Sequence, residues 1–208
     1  MKKTNLLIAL LICCTASAQF DNNFGIKAGT NYSKYITDYD TYKRKIGYYV
    51  GGFFNISISD KTSIRPELLL ANQGTKTSIE INNDFNGGEP VIAEGEIVSN
   101  INQLMILLPV NFRVELINRF HLELGMQAGY LVKIQEVLKK VPYDPSLEGE
   151  KNKFPLSELD RFDFGLNGGL GFDLTDRLEL NARYGLGLIE LNNFYKTSVI
   201  SLGLGYNL

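Results

Sequence analysis

The chain has 208 residues, 21 Lys and Arg against 23 Asp and Glu, one histidine, and a formal charge of −2. That length suits one domain, and the weak acidity excludes the basic face that nucleic-acid binding requires. No segment reaches the ~18 consecutive apolar residues of a spanning helix; the longest apolar run beyond the N-terminus, 104–110, is short and contains Pro109.

At the N-terminus, Met1-Lys2-Lys3 is positive, 6–14 is apolar but too short to cross a bilayer, and Ala16-Ser17-Ala18 is a small-x-small cleavage site. Residues 1–18 therefore read as a secretory signal peptide, with cleavage after Ala18 and a mature chain starting at Gln19. Cys13 and Cys14 fall within the removed segment, and Ile12 and Cys13 are not the small residues that lipidation requires before a cysteine. The mature chain, 19–208, is expected to be a single domain without disulfides, thiol chemistry or cysteine-bound metal. Losing Lys2 and Lys3 takes its charge from −2 to −4.

Eight stretches of alternating apolar and polar residues follow. Strand one sets Phe24, Ile26, Ala28, Thr30 and Tyr32 on one face and Lys27, Asn31 and three small residues on the other. Strand two runs over 48–59, strand three over 64–71 and strand four over 104–115, where Pro109 predicts a bulge because proline removes a ladder donor. Strands five to eight alternate most cleanly, over 120–130, 164–174, 178–188 and 200–208. Three connections are tight: Asp60-Lys61, Ile117-Asn118-Arg119 and Thr175-Asp176-Arg177. Four are long and polar: 36–45, 74–99, 134–160 and 190–196. Within the second, 75–81 and 91–98 read as a hairpin standing above a membrane. Its tip, Asn82 to Gly87, has the spacing of a calcium loop only in part, since position twelve is Ala93.

An even number of strands with short turns on one side and long loops on the other predicts an all-β fold. Its architecture is an eight-stranded antiparallel up-and-down transmembrane β-barrel with short periplasmic turns and long outer loops. Alternation alone does not say which face is wet. A secreted lipocalin-like carrier would bury the apolar face around a small ligand. Two features favour lipid instead. The polar face is glycine-rich, as a narrow lumen needs if small residues are to make room for long ones. The aromatics also fall at two levels, with Phe24, Phe120, Phe172 and Tyr206 on the turn side and Tyr32, Tyr48, Tyr130 and Phe164 on the loop side.

Lys27, Arg65, Glu67, Arg113, Glu115, Glu123 and Arg183, together with Asp173 and Glu179, are expected to point inward as a lumen charge network. Eight-stranded barrels have room inside only for side chains, so this reads as a plug and not a pore. His121 shares a face with Glu123, yet stands two residues from a periplasmic turn, where a polar rim role is expected. There is no G-x-S-x-G elbow, P-loop or H-E-x-x-H. No catalytic, cofactor-binding or metal residues are assigned. A lipid A-modifying enzyme, the second class considered, would need a catalytic cluster at the outer rim.

The closing residues Ser201-Leu202-Gly203-Leu204-Gly205-Tyr206-Asn207-Leu208 fit polar-x-Gly-x-x-aromatic-x-hydrophobic. This resembles the C-terminal signal of bacterial outer-membrane proteins, with Gly203, Tyr206 and Leu208 in the signature positions and the barrel assembly machinery as the implied partner. An amphipathic last strand can pair by β-augmentation before the barrel closes. Pro66-Glu67-Leu68-Leu69, Leu108-Pro109-Val110 with Arg113, Asp163-Phe164-Gly165 and Gly203-Leu204-Gly205-Tyr206 carry a wider resemblance over essentially the whole mature chain. It resembles the PorT-type outer-membrane β-barrel family of Gram-negative bacteria, small barrels of the OmpA/OmpX kind. Leu107 departs from that pattern, which often has an acidic residue before the strand-four proline. The resemblance implies residence in the cell outer membrane. The implied partners are outer-membrane lipid and lipopolysaccharide, with an unknown protein bound through the outer loops or periplasmic rim. The implied role is a non-enzymatic scaffold, accessory to secretion or surface adhesion.

Overall fold

The computed structural model describes residues 23–37, 41–81, 95–142, 144–153, 160–189 and 195–208. The signal segment with Ala16, Ala18 and Gln19, and the Asn82–Gly87 tip, lie outside the described residues. Among the described residues nine strands form: β1 (Asn23–Ile36), β2 (Tyr42–Ser59), β3 (Thr62–Ile81), β4 (Gly95–Ile117), β5 (Phe120–Lys140), β6 (Lys151–Lys153), β7 (Phe162–Asp173), β8 (Leu178–Gly187) and β9 (Lys196–Asn207). All neighbours are antiparallel. β4 pairs with β5 and β9 pairs with β1, so eight strands close into a ring. The ninth, β6, adds a short patch beside Gln135–Val137 of β5.

The alternation sorts inside from outside with the apolar face outward. Ile26, Val50, Leu70, Leu108, Met126, Leu166, Leu180 and Leu204 are exposed, whereas Lys27, Arg65, Glu67, Glu123 and Glu179 are buried. A water-soluble barrel would have the reverse, which overturns the carrier alternative. The aromatics anchor both edges of this apolar band. At the turn side the Phe24 and Phe54 rings pack at 5.0 Å, and Phe120 stands opposite Phe172. At the loop side Tyr130 meets Phe162 edge-on at 5.1 Å. Phe120 and Tyr130 are ten residues apart on β5, roughly 33 Å of strand. Tilted as barrel strands are, that spans about 25 Å, the height of a lipid-facing band.

Two expectations about the strands are corrected. β3, β4 and β5 continue well past the aromatic belt, so much of 74–99 and 134–160 is strand and not loop. Above the lipid neither face needs an apolar stripe, so the signal that marks the lower strands is absent there. The hairpin reading of 75–81 holds, with Thr75 opposite Ile101 and Ile81 opposite Gly95. Pro109 is not a bulge: it sits in register with Gln127, and Pro66 stays in register with Val110. The missing donor is absorbed as a local gap, since Glu67 and Leu68 drop out of the β3–β4 ladder without shifting it. The irregularities of the β4–β5 ladder lie elsewhere: two above, opposite Leu104–Met105 and Val98–Ser99, where β5 carries the extra residue, and one at the turn end, between Glu115 and Ile117.

Candidate functional site

The lumen is built by seating large side chains over glycines on neighbouring strands. A Cβ at Gly171 would collide with the His121 ring, one at Gly25 with the Phe53 ring, and one at Gly203 with the Tyr49 hydroxyl. At these three positions the missing side chain is the space into which a neighbour's reaches.

Into that space runs a continuous chain of opposite charges. Lys27 Nζ lies 3.0 Å from Glu67 Oε1. The Arg183 guanidinium grips both Glu67 oxygens, at 2.6 and 2.9 Å, and donates to Glu123 Oε2 at 2.9 Å. Glu123 Oε1 accepts from Arg65 at 3.1 Å. Arg65 also takes both oxygens of Glu179, at 2.6 and 2.8 Å. Glu179 Oε2 accepts from Arg113 at 2.9 Å, and Arg113 reaches Asp173 at 3.1 Å. Four cations and four anions alternate, and they come from β1, β3, β4, β5, β7 and β8. Neutral partners meet some of the remaining positions. Arg65 Nε donates to Asn55 at 2.6 Å and its guanidinium lies over the Phe53 ring at 4.4 Å. Asn111 donates to Glu67 at 3.3 Å, and Tyr49 donates to Asn181 at 3.2 Å. A buried charge is tolerated only when paired and hydrogen-bonded, and each of these is.

Of the residues singled out in sequence, Lys27, Arg65, Glu67, Arg113, Glu123 and Arg183 come together in this network, with Asp173 and Glu179. Glu115 does not. It is exposed at the turn end of β4, beyond the enclosed part of the lumen, and enters none of these ion pairs. His121 is corrected in the other direction. Two residues from a turn suggests a rim, but the side chain is 1% exposed because the empty space over Gly171 admits it. Arg113 Nη2 donates to His121 Nδ1 at 2.8 Å, which leaves the ring proton on Nε2, 3.8 Å from Glu123. His121, Asp173 and Glu179 have the layout of a metal cluster, and the cation they share is Arg113.

Sequence reasoning missed the aromatic and amide part of the interior. Tyr49, Phe53, Asn111 and Asn181 share the polar face, but nothing in alternation reveals which of them meet the charges. It also missed the upper closure. There Tyr35 stacks on Tyr195 at 3.9 Å, Gln103 donates to the Tyr195 hydroxyl at 3.3 Å, and Thr197 donates to Asp163 at 3.0 Å. Between the two levels, Tyr49, Gln127, Asn181, Arg183 and Ser201 line a cavity of about 30 Å³. That holds one water molecule and is about tenfold smaller than a small-molecule site.

The profile of the outer membrane protein beta-barrel domain matches residues 17–193. The chain belongs to this family. It resides in the cell outer membrane, crossing it with strands. Among solved structures, Neisserial surface protein A aligns with 89% of this chain and 97% of its own, at 11% identity and a TM-score of 0.53. Ail, the attachment invasion locus protein of Yersinia pestis, crystallised with the heparin analogue sucrose octasulfate, aligns over 90% and 99% at 15% identity and a TM-score of 0.49. OprG from Pseudomonas aeruginosa aligns over 91% and 97% at 15% identity and a TM-score of 0.44. At these identities the likeness is one of fold. No curated protein matches the chain in sequence.

Proposed function

We propose that this family member is a closed scaffold: a barrel plugged by its own side chains, which holds an outer-rim sheet above the membrane for a protein partner. The observation that carries this reading is the pairing of opposites. The lumen is filled by the eight-charge network, while β3, β4 and β5 rise past the aromatic belt as paired strands. A barrel that conducts solutes needs an open interior, and a barrel that only anchors has no use for a projecting sheet. The PorT-type resemblance adds to this reading, with an accessory role in secretion or surface adhesion as its natural context. We infer that the chain does no chemistry of its own. Its one histidine is enclosed near the turn end with Arg113, Asp173 and Glu179, far from the outer leaflet where lipid A is modified.

The test is crosslinking from the outer sheet in cells. Cys13 and Cys14 are the only cysteines and precede the expected cleavage site, so Ile79→Cys on the hairpin supplies a single thiol. Ile79 is exposed on β3. The expected result is a discrete adduct from Ile79→Cys that is absent when the thiol is placed on the turn side, at Lys61→Cys. Adducts at neither position, together with altered lipid A mass in a deletion strain, would replace the scaffold with an enzyme.

A further inference from the structure

One concave patch on the outer wall lies outside the network and the hairpin tip. On β4 the outward residues change abruptly from Leu108, Ile106 and Leu104 to Asn102 and Asn100. On β3 they change from Leu68 and Leu70 to Asn72. On β5 the change requires a backbone device. Leu104 pairs with Lys133 but Met105 pairs with Leu131, so β5 carries one extra residue, Val132. Below this bulge even-numbered residues such as Met126 and Ala128 face outward; above it the odd-numbered Lys133 and Gln135 do, and Lys139 is the extra residue of a second bulge, between Leu138 and Lys140. A bulge shifts side-chain parity by one. Without it, Lys133 and Gln135 would point toward the barrel axis.

The outcome is a shallow depression of about 460 Å³ lined by Tyr48, Asn72, Asn102, Lys133, Lys139 and Lys151, with no carboxylate in its wall. All three of these lysines are exposed, and none forms an ion pair among the described residues. A fourth, Lys45, donates to Asn72 at 3.2 Å beside them. The depression begins at Tyr48, a residue of the loop-side belt, and Leu104 forms its floor. Its lower edge therefore lies at the headgroup layer, directly above the hydrocarbon, and its wall rises from there along β5.

We propose that this depression binds the phosphorylated headgroup of an outer-leaflet lipid. The lysines neutralise the phosphate, the amides of Asn72, Asn102 and Gln135 bond headgroup hydroxyls, and Tyr48 and Leu104 meet the start of the acyl chains. Lys133, in register with Leu104, and the two lysines above it give this wall three unpaired cations and no anion, which matches an anionic headgroup seated against it. A soluble protein partner is disfavoured because the floor of the patch lies at membrane level.

The experiment is native mass spectrometry of the full barrel released from detergent micelles. The probes are bisphosphorylated lipid A, the same lipid dephosphorylated, and inorganic phosphate as competitor. The expected result is a lipid adduct that needs the phosphates, survives excess inorganic phosphate, and falls by about tenfold or more in the triple variant K133Q/K139Q/K151Q. Lys61→Gln, at the opposite rim, should leave it unchanged. Equal retention of the dephosphorylated lipid, displacement by inorganic phosphate, or undiminished binding in the triple variant would each overturn the proposal. The first two readouts use the unmodified protein, so they stand even if the triple variant folds poorly.

Discussion

Arg65 and Glu179 stand 114 positions apart and meet through two parallel hydrogen bonds, Nη1 to Oε1 at 2.6 Å and Nη2 to Oε2 at 2.8 Å. Both side chains are fully enclosed. The pair joins β3 to β8 across the lumen, where no backbone ladder can connect them. Because Glu179 also holds Arg113, its loss would leave two cations short of a partner. Glu179→Ala should cost about 3–5 kcal/mol in denaturant unfolding from lipid vesicles. The double variant Arg65→Met/Glu179→Leu should cost less than the two single changes added together. A loss below about 1 kcal/mol, the range of exposed pairs, would mean that water reaches the lumen.

Gly171 and His121 form a second coupled pair. Gly171→Ala places a methyl group where the imidazole lies, so overpacking of about 1–3 kcal/mol is expected. His121→Ala in the same chain should recover most of it, measured by the same unfolding assay. If Gly171→Ala is as stable as the parent, the ring does not occupy that space.

The two faces of β7 should respond in opposite ways. Leu166 is 47% exposed on the lipid side, and Asn167 is buried on the lumen side with no partner for its amide among the described residues. Leu166→Arg should cost about 2–4 kcal/mol on folding into lipid, while Asn167→Ser should be tolerated. The reverse order would mean that the faces are inverted.

Tyr206 and Leu208 are predicted to matter for assembly. β9 closes the ring against β1, with Tyr206 opposite Ile26 and the Leu208 amide donating to Phe24 at 2.9 Å. The Tyr206→Ala/Leu208→Ala variant should accumulate unassembled in the periplasm, yet regain most of its β-structure when refolded into detergent, because the other strands are unchanged. Normal outer-membrane levels of this variant would mark the closing pattern as coincidence.

The barrel was legible because lipid forces a period-two apolar stripe onto each crossing strand, so Phe120 to Tyr130 or Leu178 to Leu188 can be read directly. Where lipid ends, the stripe ends too, and β3 beyond Asn72 and β4 before Leu104 could not be told from loop. The charged interior was legible residue by residue, since Arg65, Glu67 and Glu123 all fall on the polar face. Who pairs with whom was not, because partners such as Arg183 and Glu67 are set by strand tilt and stagger around the ring. Glu115 has the right parity but the wrong height, and parity carries no information about height. The bulge at Val132 left no mark either, since neither glycine nor proline accompanies it.

A scaffold of this kind requires a closed barrel. Single-barrel conductance in a planar lipid bilayer measures this directly. The ion-paired lumen predicts a silent membrane with the unmodified protein and leak events only after a charge is removed, as in Arg183→Ala. Stable, stepwise open currents from the unmodified barrel would contradict it, because they require a water-filled path through the space that Arg65, Glu123, Glu179 and Arg183 occupy.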